Sequence, residues 1–209
     1  MAYLIIVRHG ESEWNVLGKW AGLTDVALTE TGRREARQAA RHLQGISIDK
    51  AYVSQLKRAK QTLSEIKNAL NLGEIPDIEH EALNERDYGE LTGLNKRDHK
   101  AKVGPKAYNS VSREWNTPAP NGESLKMVHD RVTDYYKKHI LNDLKEGKNI
   151  IVVSHHNPLR ALVKYIEDIP EDKIAELTLG TSELYIYELD EVGRVIGKVI
   201  RGGNTKYHL

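Results

Sequence analysis

Tyr3-Leu4-Ile5-Ile6-Val7-Arg8-His9-Gly10-Glu11-Ser12 is an apolar run that ends in an arginine, a histidine and a glycine. An apolar run without polar alternation is the pattern of a strand covered on both faces, as in a parallel sheet flanked by helices. A second run, Asn149–Ser154, ends in His155-His156-Asn157-Pro158, and a third, Ala51–Ser54, leads into Gln55-Leu56-Lys57-Arg58. Ligands of open α/β sheets bind at the C-terminal ends of the strands. His9, Arg58 and His155 are therefore expected at one edge of one sheet.

Helical patterns lie between these runs. Thr29 can cap a helix reaching about Leu43, with Ala36, Ala39, Ala40 and Leu43 on one face. A second helix is expected over about Arg58–Leu70. A third is expected from Gly122-Glu123-Ser124, carrying Leu125, Val128, Val132 and Tyr135 at helical spacing and closing with Leu141 and Leu144 before Gly147. Asn157 is the expected cap of a helix with Pro158 at its first position. Leu184–Leu189 and Val195–Ile200, joined through Asp190-Glu191-Val192-Gly193, read as a hairpin. The stretch from about Ala82 to Pro120 has less periodicity and reads as an excursion over the sheet edge with short helices. Strands alternating with helices define the fold class: α/β, a three-layer α/β/α sandwich with a mixed, largely parallel central sheet. No repeat, linker or low-complexity segment divides the chain, so residues 1–209 are expected to form a single domain.

Composition narrows the chemistry. Among 209 residues, Lys+Arg number 31 and Asp+Glu 30, a net charge of +1. That balance argues against a nucleic-acid or membrane-surface partner. With no cysteine, disulfides, thiolate zinc sites and cysteine catalysis are excluded. No apolar stretch approaches the ~20 residues of a membrane span, and a signal-peptide pattern is lacking, so a cytoplasmic protein is expected. The absence of Phe beside ten Tyr has no physical account.

The expected chemistry is phosphoryl transfer. A neutral imidazole at His9 can attack phosphorus and hold the group covalently. Arg8 and Arg58 can spread the phosphate charge through their guanidinium forks. His155, expected as a cationic histidine, can donate to the same oxygens, with Asn15 and Asn157 as neutral donors. Glu85, in Leu83-Asn84-Glu85-Arg86-Asp87-Tyr88-Gly89, is the candidate that protonates the leaving oxygen and deprotonates the incoming one. Blander readings stand beside these. Arg8-His9-Gly10 can be a plain loop, Glu85-Arg86 a surface ion pair, and His155-His156 zinc ligands. No carboxylate lies at ligand spacing from the two histidines and two arginines converge there, so no metal is expected. His42, His80, His99, His129, His139 and His208 read as surface or core residues.

These segments resemble the histidine phosphatase superfamily and, more closely, its 2,3-bisphosphoglycerate-dependent phosphoglycerate mutases. Leu4–Asn15 with RHGESEWN, Ser54–Arg58-Ala59, Leu83–Leu94 followed by Lys96, Pro120–Leu125 (PNGESL) and Leu159–Tyr165 (LRALVKY) carry the likeness over nearly the whole chain. RHG alone marks the superfamily, and the NERxYG…LNK segment is far more specific to mutases. The resemblance implies that His9 becomes the phosphohistidine. It makes Arg8, Asn15, Arg58 and His155 the phosphoryl clamp and Glu85 the acid and base. Ser12, Gly22, Tyr88, Lys96, Arg113 and Asn157 would contact the rest of the substrate. It also implies priming by 2,3-bisphosphoglycerate and a small phosphorylated metabolite as partner, and it is compatible with a homo-oligomer.

Three departures from the family pattern fall on substrate contacts. Ala21-Gly22-Leu23 stands where Thr-Gly-Trp is usual, Ser112-Arg113 where two arginines are usual, and His155-His156-Asn157 where His-Gly-Asn is usual. The first reading is a mutase interconverting 2- and 3-phosphoglycerate in glycolysis and gluconeogenesis. The second is a phosphomonoester phosphatase in which water takes the phosphoryl group from His9. A non-catalytic phosphate-binding protein is the third, and the retention of His9 and Glu85 speaks against it.

Overall fold

The sheet is built around the opening strand. β1, Ala2–Arg8, lies between β4, Ile150–Ser154, and β5, Leu184–Leu189, in the computed structural model, which describes residues 1–204 and 206. The six-stranded order is β3-β2-β4-β1-β5-β6, with β2 at Lys50–Val53, β3 at Asp77–Glu79 and β6 at Val195–Arg201. β3, β2, β4 and β1 run parallel, and β5 and β6 are antiparallel additions. The sheet is therefore mixed and largely parallel, as the sequence predicts.

Alternate side chains of the same strands feed two cores. Leu4, Ile6, Ile150 and Val152 pack with α5 (Leu125–Tyr135) and α7 (His156–Glu167). Ile5, Val7, Ile151 and Val153 pack on the opposite face with α2 (Glu30–Arg41) and α3 (Lys57–Leu70). Burial on both faces is why these strands carry no polar alternation. α2 starts where its cap requires, with Thr29 Oγ1 accepting from Gly32 N at 3.1 Å. Ala36, Ala39 and Ala40 form its inward face. The third expected helix is continuous to Lys145, but a π-helical turn, Tyr136–Ile140, separates α5 from α6 (Leu141–Lys145). The remaining helices are a short α1, Glu13–Val16, and α4, Lys96–Arg113.

Three expectations need correction. β3 was not anticipated, because it is a three-residue edge strand with every residue exposed. The excursion holds two 3₁₀ turns, Glu81–Leu83 and Gly89–Leu91, and also the 18-residue α4. α4 is two helices joined at Gly104 (φ 82°, ψ 159°), with Pro105 opening the second half, and only Tyr108 is buried along it. Its missing apolar periodicity follows from that. The last helix begins earlier than expected: His155, not Asn157, is its N-cap, and Asn157 and Pro158 lie inside the first turn.

The loop after β1 is pressed onto the start of α2. A Cβ on Gly32 would sit 2.1 Å from the Glu11 carbonyl oxygen, and one on Gly10 would sit 2.3 Å from that of Gly32. Both contacts are with backbone, which cannot rotate away. Gly32→Ala is expected to destabilise the fold by about 1–3 kcal/mol as an overpacking change. Thermal denaturation should then show a midpoint lowered by roughly 2–4 °C per kcal/mol. An unchanged midpoint would mean that this contact is soft.

Candidate active site

Strand register brings the two histidines together. Arg8 on β1 pairs with Ser154 on β4, so the residues leaving the two strands, His9 and His155, emerge side by side. The His9 amide continues the ladder, donating to Ser154 O at 3.0 Å. The ring centroids are 5.0 Å apart, with planes inclined at 57°.

Neighbours fix the tautomer of each ring. His9 Nδ1 lies 2.7 Å from Gly10 O, and a carbonyl only accepts, so Nδ1 carries the hydrogen. Nε2 is left with its lone pair. Burial, and then the charges of Arg58 and Arg8, hold His9 well below the usual histidine range. It is a neutral imidazole, the form in which this side chain is a nucleophile. His155 is the mirror case. Its Nδ1 accepts from Arg58 Nε at 3.2 Å, and its Nε2 donates to Ser54 Oγ at 2.7 Å. Burial, Arg58 and His9 push its pKa well down too. In the protein alone His155 is thus neutral and fully buried, with both nitrogens engaged, whereas the expectation of a cationic histidine concerns the site with a phosphate bound.

The arginines are anchored from behind. Arg8 Nη1 donates to Leu179 O at 2.6 Å. Arg58 Nη1 and Nη2 donate to Thr24 O at 2.8 Å and Gly22 O at 2.9 Å. Burial lowers Arg58 to about 10, a range in which it stays charged at neutral pH. Ser12 donates through both N and Oγ to Asn15 Oδ1, at 3.0 and 2.8 Å. The Asn15 NH₂ is the end left for a ligand.

Glu85 comes from the excursion. Its Oε1 accepts from Arg86 N at 2.8 Å, Asn157 N at 3.3 Å and Asn157 Nδ2 at 3.2 Å. All three fall on Oε1, so Oε2 is the oxygen available to the cleft. Asn157 Nδ2 also donates to Tyr88 OH at 2.8 Å. Burial raises Tyr88 to about 12 and keeps it a phenol. The loop is braced by Arg131, which donates to the carbonyls of Ala82, Asn84 and Glu85 and pairs with Glu123. Arg86 is no surface ion-pair partner. It is fully buried and donates to the carbonyls of Glu123, Val111 and Thr117.

One cleft collects most of the expected residues: Arg8, His9, Ser12, Asn15, Gly22, Arg58, Glu85, Tyr88, Lys96 and Arg113 line it. His155 and Asn157 stand one layer behind. Ala21, Ser112 and His156, the departures from the family pattern, are also at the wall. Lys19, Trp20 and Tyr108 were not anticipated. Trp20 packs between Tyr88 and Tyr108, at 4.5 and 5.6 Å between centroids with the ring planes tilted by 52° and 46°. The lining holds five cations, Arg8, Lys19, Arg58, Lys96 and Arg113, against the single carboxylate of Glu85. That excess suits a ligand with more than one anionic group. His42, His80, His99, His129 and His139 lie elsewhere, and His208 lies outside the described residues.

The chain belongs to the histidine phosphatase superfamily (branch 1), whose family model matches residues 4–200. A Parvibaculum lavamentivorans protein named 2,3-bisphosphoglycerate-dependent phosphoglycerate mutase is 41% identical over 93% of this chain and 94% of its own. A Cytophaga hutchinsonii protein of the same name is 44% identical over 90% and 88%. The Schizosaccharomyces pombe phosphoglycerate mutase is 39% identical over 93% of each chain. Among solved structures, Bacillus stearothermophilus YhfR superposes with a TM-score of 0.81 at 25% identity, covering 99% of this chain and 100% of that one. Mycobacterial glucosyl-3-phosphoglycerate phosphatase, at 21% identity, shares the fold with a TM-score of 0.80 over 97% and 98%.

Lys96 gives the cleft a pH dependence. Its ammonium lies 5.4 Å from the Trp20 ring centroid, and burial, followed by the Arg8 charge, lowers it to about 8. The charged form exists below that value and is lost above it. The kcat/KM for an anionic substrate, which reports the free enzyme, should therefore fall as pH rises through about 8. Lys96→Met should lower kcat/KM at neutral pH and flatten that limb. If the limb persists in Lys96→Met, another group titrates there.

Proposed function

We propose that this chain, as one domain over residues 1–209, interconverts 2- and 3-phosphoglycerate through a phosphohistidine on His9. The observation that carries the proposal is the His9 imidazole. Neutral, with Nδ1 tied to Gly10 O, it offers its Nε2 lone pair in a cleft with five cations and one carboxylate. The mutase name of the relatives near 40% identity, aligned over about nine-tenths of both chains, supports the same activity. 2,3-Bisphosphoglycerate, when bound, supplies the phosphoryl group that His9 carries. Its two phosphates and carboxylate suit the excess of cations, with Arg8, Arg58 and Asn15 at the reacting phosphate and Lys96 and Arg113 at the far end. No metal has a role in this reading, so chelators should leave activity unchanged. On this reading the protein works in the cytoplasm, in glycolysis and gluconeogenesis.

Each residue has a defined task. Glu85 removes the proton from the substrate hydroxyl. That oxygen forms a bond to phosphorus as the bond from His9 Nε2 to phosphorus breaks, and the electron pair returns to the imidazole. The substrate then turns end for end. His9 Nε2 attacks the other phosphorus, the P–O bond breaks, and Glu85 returns its proton to the leaving oxygen. Arg8 and Arg58 stabilise the charge on the phosphoryl oxygens throughout. A phosphate dianion beside His155 favours its protonated form. Ser12, Gly22, Tyr88 and Asn157 position the substrate or the groups that touch it.

Treatment with 2,3-bisphosphoglycerate should leave an acid-labile phosphate on His9 by mass spectrometry. His9→Ala should abolish transfer with the fold intact, and Glu85→Gln should lower the rate by typically ~10²–10⁴-fold. Phosphate found on another residue, or a Glu85→Gln loss below tenfold, would remove the corresponding role.

A second reading, hydrolysis, is favoured by two residues lining the cleft: Ala21, which lacks the hydroxyl usual there, and Ser112, which lacks the cation usual there. Anchoring of the turning substrate then rests on Arg113 and Lys96. A charge-assisted contact contributes roughly 1.5–3 kcal/mol where it is made, about one to two orders of magnitude in retention. Ser112→Arg should therefore lower free-phosphate release and the requirement for added 2,3-bisphosphoglycerate together. A coupled assay with 3-phosphoglycerate measures both. Phosphate release from many monoesters with no 2-phosphoglycerate at any primer level would leave the phosphatase reading standing.

A further inference from the structure

Asn157 is held by three partners that no ligand has to supply. Its Nδ2 donates to Glu85 Oε1 at 3.2 Å and to Tyr88 OH at 2.8 Å, and its Oδ1 accepts from Arg160 Nη1 at 3.1 Å. A side-chain amide can face either way, since its oxygen and its NH₂ are similar in size. The choice decides the sign of its interaction with Glu85. The NH₂ donates to a carboxylate, whereas the carbonyl oxygen repels one.

Arg160 makes the choice. A guanidinium has donors and no acceptor, so the amide atom facing it is the oxygen, and the NH₂ is turned to Glu85 and Tyr88. Arg160 is fully buried on α7, and its Nη2 donates to Ile174 O at 2.7 Å and Arg113 O at 3.1 Å, while its Nε has no hydrogen-bond partner among the described residues. None of these partners is a carboxylate, so no ion pair accounts for a buried guanidinium here. We infer that Arg160 is a positioning residue for phosphoryl transfer. It orients the Asn157 amide so that its NH₂ joins the Arg86 and Asn157 main-chain amides on Glu85 Oε1, leaving Oε2 presented to the substrate, and it fixes the end of α4 that carries Arg113. The inference rests on the reading of Glu85 as the acid and base.

Two functions on one side chain separate kinetically. The Asn157 contact acts on kcat, and the Arg113 contact acts on KM. R160M should lower kcat by roughly 10- to 100-fold, the scale of a hydrogen bond to a charged group, and raise KM. In an N157A background the same change should lower kcat by less than about twofold, because the amide it orients is gone. R160K should restore kcat, since an ammonium also has donors only. It should leave KM raised, because a single point cannot also reach the Arg113 and Ile174 carbonyls.

A second measurement does not depend on turnover. In ¹⁵N NMR, the Asn157 side-chain NH₂ signal should shift on E85Q in the wild-type background and should not respond in R160M. If R160M does not fold, R160K decides: kcat near wild type with raised KM supports the inference, and lost kcat with unchanged KM overturns it. An equal kcat loss in the wild-type and N157A backgrounds, or an NMR response retained in R160M, also overturns it. If E85Q keeps its activity while the NMR coupling holds, the acid–base reading fails and the orienting role of Arg160 stands.

Discussion

Among the described residues four guanidinium groups are taken out of water, and their burial shapes everything around the cleft. Arg8, Arg58, Arg86 and Arg160 are buried, and their donors are taken mainly by main-chain carbonyls rather than by carboxylates. A carbonyl satisfies a donor without cancelling the charge. Removing a cation from water without a counter-ion costs several kcal/mol, and the lowered values of Arg58 and Arg160, both to about 10, carry the sign of that cost. The positive potential is therefore built in before any ligand arrives. An anion entering the cleft relieves it, which is the condition for binding a phosphate strongly and for stabilising the added charge as phosphorus changes hands.

The potential would be idle without the register of two strands. Because Arg8 sits opposite Ser154, the nucleophile candidate and the second histidine leave the sheet together. Burial, reinforced by the same field, keeps both rings neutral, and their neighbours assign opposite tautomers: Gly10 O accepts from His9 Nδ1, while Arg58 Nε donates to His155 Nδ1. Two identical side chains 5.0 Å apart thereby become a lone-pair donor and a braced wall. Their difference comes from one carbonyl and one guanidinium.

What the sequence makes legible follows from where the structural causes lie. Leu4–Val7 and Ile150–Val153 are readable as strands because both their faces are covered, so the apolar run is the cause and the signal at once. Asp77–Glu79 is not readable, since an exposed three-residue edge strand is specified by its neighbour β2 and not by its own residues. The start of α7 is not readable, because capping rules favour Asn and proline, while the extended residue before the helix is His155. Of the cleft, Arg8, His9, Arg58 and Glu85 could be anticipated because their chemistry is local, Lys96 and Arg113 only through the family resemblance, and Lys19 not at all. Arg86, Arg131 and Arg160 could not, because their partners are carbonyls contributed by segments far away in sequence. Trp20 and Tyr108 are similarly opaque, since their meaning lies in an aromatic cluster assembled from three segments.

The break at Gly104 gives the cleft a roof of two short helices, tied to a core only through buried Tyr108 and half-buried Val111 among its described apolar residues. A segment with so little apolar burial has a local opening free energy well below that of the whole fold. Lys96 stands at the start of the first half, and Tyr108 and Arg113 lie in the second, all three on the cleft wall. A ligand that touches both halves spans the break and stitches it. Part of its binding energy is then spent on ordering the roof, so affinity and local protection from hydrogen exchange rise together, and the segment from 96 to 113 is where exchange reports occupancy most directly.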